Sequence, residues 1–184
     1  ETNKMFSISR EQFSEWFPEF EEIGSEELKH KIVKIWNETA GKSDWASMED
    51  VPFSPDYPAQ PNSFLQHMKL VTAYSTVCAK KNNELELTKV DMDTVIDGAL
   101  LHDVCKLVEY SSAGGRTEWG KNVTHGIYGI AVCYEEKIPL EIIHIISSHT
   151  KQLTIANKTR EAIIVAKADN LAAACVHLYE ANRQ

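Results

Sequence analysis

Ala99-Leu100-Leu101-His102-Asp103-Val104-Cys105-Lys106 sets an imidazole and a carboxylate side by side inside an aliphatic run. The run reads as part of a buried helix from about Asp91 to Glu109. Burying His102 and Asp103 there is unfavourable unless each is hydrogen-bonded or binds a metal. Helical neighbours point about 100° apart, so both reach one ion only if other helices complete its shell. Candidate partners stand on every other core helix: His67 before the dyad, then His125, His149 and Asp169 after it. Imidazole and carboxylate donors suit Fe, Mn, Zn and similar ions, and the absence of patterned thiolates favours the harder ones.

Helical periodicity also dominates outward from this stretch, and strand-like alternation is almost absent. Ser25 can cap a helix with Glu26 and Glu27 in its first turn; Leu28, Ile32, Ile35 and Trp36 form its apolar stripe, and Gly41 ends it. Residues 42–61 carry four of the six prolines and read as an extended surface loop. Further helices are expected over about 62–81, 122–137 and 139–149. The last starts after the candidate cap Thr159 and runs through Asp169 toward Tyr179. A Gly-rich loop, Ser111 to Gly120, lies between the dyad helix and the His125 helix. The fold class is therefore all-α. A bundle of about five core helices spans residues 61–184, and residues 1–60 form an N-terminal helical appendage with its Pro-rich loop, within one structural domain.

The 184 residues suffice for one such domain, and 43% apolar with 25% charged residues is the balance of a globular chain. A net charge of −8 argues against a protein that grips long nucleic acid through phosphate neutralisation. No apolar run approaches the ~18 residues needed to cross a bilayer. Cys78, Cys105, Cys133 and Cys175 show no Cys-x-x-Cys spacing and read as buried reduced thiols of a cytoplasmic protein. Asn37, Asn122 and Asn157 head Asn-x-Thr triplets that carry no meaning in that compartment.

In order, spacing and flanks this set resembles the HD superfamily of metal-dependent phosphohydrolases. Ser63-Phe64-Leu65-Gln66-His67 resembles the segment of the family's first His, and Ala99 to Lys106 its dyad with the following Lys. Ala168-Asp169-Asn170-Leu171 resembles the final Asp segment. His125, in Thr124-His125-Gly126, and His149, in Ser147-Ser148-His149, match the extra histidines of binuclear members. The Pro-rich lead-in and Leu107-Val108-Glu109-Tyr110 are most similar to the HD domain of bacterial 3′→5′ exoribonucleases, although the N-terminal section reads as helix and not as their OB-fold. Cys105 replaces a usual Gly, a packing change, and Ser148-His149-Thr150 has one His where many members have a pair.

The resemblance implies divalent metal, two ions if His125 and His149 join the set, with Asp103 shared; Fe, Mn, Zn, Ni, Co and Mg are not distinguished. It implies hydrolysis of a nucleotide or other small phosphate compound by metal-activated water. Alternatives are a di-iron oxygenase built on the same ligands and a non-catalytic nucleotide-sensing module. Lys106, three positions after Asp103, lies on the same side of the helix and is the candidate for stabilising developing charge. Arg116 and Lys121 flank the Gly-rich loop and are candidate substrate phosphate contacts. His30, His144 and His177 are expected outside the site.

Overall fold

Ser9 and Ser25 each accept a backbone N–H from the first turn that follows, Gln12 at 3.1 Å and Leu28 at 3.2 Å, and so start helices α1 (Arg10–Trp16) and α2 (Glu26–Gly41). The computed structural model describes residues 7–54, 63–86, 89–150 and 153–181. Beyond α2 it places α3 (Ser63–Glu84), α4 (Met92–Leu101), α5 (Lys106–Glu109), α6 (Glu118–Asn122), α7 (His125–Glu135), α8 (Leu140–Ser148) and α9 (Arg160–Ala181). Short 3-10 turns cover Pro18–Glu22 and Met48–Asp50. Among the described residues extended pairing is limited to an isolated bridge between Tyr110 and Arg116. The all-α expectation holds, and no helix among those residues is long and apolar enough to cross a membrane.

Helix α4 is the axis. Every residue from Val95 to Leu101 is buried, as a helix apolar on all sides requires. Ile96, Leu100 and Leu101 join one apolar cluster, while Val95 and Ala99 join another with Val71, Ile145, Val165 and Ala172. Helices α3 and α9 pack along each other and on α4, and α8 packs on both α4 and α9. Gly98 allows that packing. A Cβ there would lie 2.4 Å from Cδ1 of Ile145, so any side chain at this position would force Ile145 to shift.

The N-terminal section is not an appendage. Phe13, Phe17, Phe20, Ile32, Ile35 and Trp36 are fully buried in the same cluster as Leu100 and Leu101. Phe13 meets Phe17, Phe20 and Trp36 at ring separations of 5.0, 4.9 and 5.4 Å, distances at which aromatic pairs attract. Trp36 Nε1 donates to the Leu100 carbonyl at 2.9 Å, tying α2 to the end of α4. These apolar groups need α4 as their partner, so residues 8–51 and the bundle share one core.

Three further expectations change. The loop after α2 is not wholly at the surface: Met48, Val51, Pro52 and Phe53 are buried, and Phe53 N–H donates to Ser63 Oγ at 2.6 Å. Pro55, Pro58 and Pro61 lie outside the described residues. The helix expected over 91–109 breaks at its most polar point. It ends at Leu101, and tight bonds such as Lys106 N–H to the Asp103 carbonyl (2.9 Å) carry a turn into α5. All four thiols are free, but Cys78 and Cys175 are exposed, and only Cys105 and Cys133 are buried.

Candidate metal centre

The turn between α4 and α5 positions the dyad. His102 still belongs to the helical bonding, its N–H donating to the Gly98 carbonyl at 3.0 Å, while Asp103 lies within the turn. The angular separation of a continuous helix no longer applies, and both side chains face one buried centre. His67 enters from α3, His125 from the start of α7, His149 from the end of α8 and Asp169 from α9. All six residues expected at the site are brought together.

Asp103 divides them. Its Oδ2 lies 3.3 Å from His67 Nε2 and 3.4 Å from His102 Nε2, and His67 Nε2 is also 3.2 Å from Asp169 Oδ1. Its Oδ1 lies 3.2 Å from His125 Nε2 and 3.4 Å from His149 Nε2. Two groups of donors result, each able to hold a metal ion: His67, His102, Asp103 and Asp169, and Asp103, His125 and His149.

The surroundings fit such a cation. Nε2 of His67, His102 and His149 and Oδ1 of Asp103 are buried without a hydrogen bond, while Asp103 Oδ2 meets the Lys106 ammonium. So many unsatisfied polar atoms facing one another would be strongly unfavourable without a positive ion between them. Three rings have the opposite nitrogen occupied. Nδ1 of His102 meets the Ala99 carbonyl at 2.7 Å, Nδ1 of His149 the Ile146 carbonyl at 2.8 Å, and Nδ1 of His125 the Glu109 carboxylate at 2.5 Å. A proton held on Nδ1 leaves Nε2 with a free lone pair turned to the centre.

Lys106 completes the charge pattern. Its Nζ is 2.6 Å from Asp103 Oδ2 and 4.6 Å from the Phe53 ring centre. Burial opposes its positive charge, but Asp103 outweighs that and holds the ammonium above the ordinary lysine range. Burial would likewise raise the Asp103 carboxyl, yet Lys106 and His102 hold it well below the usual carboxylate range. For His149 burial prevails and lowers the ring's pKa, favouring the neutral form a metal needs.

Glu109 and Phe53 belong to the site's walls and were not singled out in the sequence. Glu109 is fully buried; one oxygen takes the His125 backbone N–H at 2.8 Å as well as its ring, and the other pairs with Arg116 at 2.8 Å. A lone carboxylate in the apolar stretch Leu107-Val108-Glu109-Tyr110 was the available signal. Phe53 covers His67 at a ring separation of 4.4 Å and meets His177 edge-on at 5.5 Å.

The two loop cations are paired with carboxylates of their own segment. Arg116 is committed to Glu109 and thereby to His125, and Lys121 pairs with Glu118 at the surface. The Gly-rich loop between them is pinned: Thr117 Oγ1 donates to the Val108 carbonyl at 2.8 Å, and Ser111 and Ser112 both donate to Asp44. His30 is exposed, and His144 Nε2 accepts the Lys158 N–H at 3.1 Å.

The HD domain family matches residues 64–174 of this chain. The chain is also 28% identical over 142 residues to a dihydroneopterin 2′,3′-cyclic phosphate phosphodiesterase of Methanocaldococcus jannaschii, a match covering 70% of this chain and 55% of that relative. The chain thus spans about half the length of the curated relative. No solved structure matches it.

Proposed function

This chain belongs to the HD domain family, and on that premise we propose that it is a metal-dependent phosphohydrolase acting on a small phosphate ester. The observation that carries the reading is the placement of Asp103, with one oxygen toward His67 and His102 and the other toward His125 and His149. His67, His102, Asp103 and Asp169 would hold one divalent ion, and His125 and His149 with Asp103 could hold a second, whose repulsion from the first the Asp103 charge would reduce. When bound, the metal supplies an activated water and polarises the phosphoryl group.

The chain's own groups do the rest. Nδ1–H contacts to Ala99, Ile146 and Glu109 fix three rings, so little reorganisation is left for the reaction. The Lys106 ammonium stays charged beside Asp103, where it can meet negative charge developing on phosphate oxygens. Phe53 excludes water from the His67 side and lowers the local dielectric, which strengthens that interaction.

The relative's name, a phosphodiesterase of a cyclic phosphate, favours a cyclic or diester substrate of low mass. The net charge of −8 favours such a molecule over long RNA or DNA. The test is elemental analysis of the purified protein, followed by phosphoester cleavage assays after chelation and reloading with individual divalent ions. Stoichiometric metal and restored cleavage of 2′,3′-cyclic nucleotides are expected. Cleavage at full rate in the chelated protein would overturn the reading.

A further inference from the structure

Helices α3 and α9 run parallel and in step. His67 meets Asp169 at 3.2 Å, and one seam further along both helices the Tyr74 hydroxyl lies against the Cys175 thiol. Each helix carries a second apolar seam besides the one it buries. On α9 the inward seam is Ala162, Val165, Ala168 and Ala172, and the outward one holds Leu171 and Leu178, 53% and 66% exposed. On α3 the outward seam is Leu70 and Tyr74, both half-buried, and Val77, 65% exposed. Seven residues make nearly two turns, so Leu70 shares a side with Val77, and Leu171 with Leu178. Leu171 and Leu178 stand about 160–180° round α9 from Asp169, so this face points away from the metal centre.

The face is unlike ordinary surface. Between Asn170 and Leu178 the exposed positions of α9 are Asn170, Leu171, Ala174, Cys175 and Leu178, without a charge among them, although 25% of the chain is charged. A helix apolar on opposite sides is ordinarily covered on both. With the exposed Cys78 of α3 the two seams present roughly 600 Å², the upper end of what a monomer leaves open.

The ends of the face indicate what covers it. Lys167, exposed, lies one turn before Leu171. Glu84 lies two turns after Val77 on the same side of α3, and its carboxylate pairs with Lys81 at the surface. The face therefore has a cation at one end, a carboxylate at the other and apolar seams between. Turned end for end, it is complementary to itself. Two chains of net charge −8 repel over most of their surface, and the middle of this face is free of that repulsion.

We infer that α3 and α9 dock on the same two helices of a second copy of this chain, about a two-fold axis near Ala174 and Cys175. The result is a four-helix layer in which Leu171 packs on the partner's Leu178 and the reverse. At 1.5 Å per residue Lys167 lies about 11 Å to one side of the axis and Glu84 about 16 Å to the other, so each lysine reaches the glutamate end of the other copy. A parallel arrangement would instead set lysine beside lysine. The two copies bury about 1,200 Å² in all, the low end for a specific pair, which corresponds to a dimer of micromolar affinity.

Sedimentation equilibrium on the metal-loaded chain, from about 1 to 200 µM, tests this. The parent is expected to reach twice the chain mass at the upper end. Leu171→Glu sets a carboxylate in the seam and is expected to weaken association at least about tenfold. Its helical circular dichroism should match the parent's, since the side chain is already exposed. Leu140→Glu, exposed at the start of α8, should dimerise like the parent. Lys167→Glu should weaken association, and adding Glu84→Lys should restore it. Undiminished dimer in Leu171→Glu overturns the inference, and so does a charge swap that restores nothing. A parent that stays monomeric throughout, the result expected if a different molecule covers this face, overturns it as well.

Discussion

Glu109 holds His125 twice, taking its backbone N–H at 2.8 Å and its ring Nδ1 at 2.5 Å on the same carboxylate oxygen. The contact fixes where α7 begins and which way its first side chain points. The other Glu109 oxygen is neutralised by Arg116 at 2.8 Å, so the carboxylate stays charged despite full burial. Burial works against that charge, and the His125 contacts with Arg116 outweigh it, holding the carboxyl below its ordinary value.

Glu109→Gln is therefore expected to loosen the ion on the His125 and His149 side and spare the other. A carboxylate behind a ligating His typically accounts for about 10- to 100-fold in metal affinity. Metal titration after chelation should show one tight and one weakened ion. Two unchanged affinities would reduce Glu109 to a helix contact. Arg116→Ala should have a smaller effect, because that side chain is 38% exposed and water can replace it.

Metal counts separate the two halves of the centre. His125→Ala or His149→Ala should keep one ion and lose most turnover, and His67→Ala should weaken the other ion. Asp103→Ala should empty both positions, because its two oxygens face different donor groups. Elemental analysis reads each outcome. Parent-like stoichiometry in the His125 and His149 variants would make these residues substrate contacts beside a single ion.

Lys106→Ala should retain metal and slow phosphoester cleavage about 100-fold, since it removes a buried positive charge and no ligand. Single-turnover rates with metal content measured on the same sample test this. Equal rates in variant and parent would leave Lys106 as a neutralising partner of Asp103 alone.

Asp97 predicts a pH effect on stability. It is fully buried on α4 with neither oxygen bonded, and burial, reinforced by Asp93 and Asp91, pushes its carboxyl up to about 8. The folded chain then keeps a proton that the unfolded chain releases above about pH 4. The unfavourable contribution is absent below the unfolded value, grows as pH rises, and is complete near pH 8. Asp97→Asn should melt about 3–6 °C above the parent at pH 8, with the gap closing toward pH 5. Parallel melting temperatures across that range, at saturating metal, would refute a protonated Asp97.

The sequence determined the helical class, because apolar spacing at α2, α3, α8 and α9 is local and each helix shows its own stripe. It also picked out the six side chains that the fold gathers around Asp103. Buried His102 and Asp103 needed partners, and polar groups at matching places on the other helices supplied them. What lay beyond it depended on distant contacts. The break between α4 and α5, which aims Asp103 at both donor groups, reflects packing around a polar dyad and carries no Pro or Gly signal. Arg116 looked like a free phosphate contact because its partner Glu109 becomes its neighbour only after the chain turns back through the Tyr110 and Arg116 bridge. The N-terminal aromatics likewise needed α4, about sixty residues away in the chain, before their burial could be seen: Trp36 finds its acceptor at Leu100 only in the folded core.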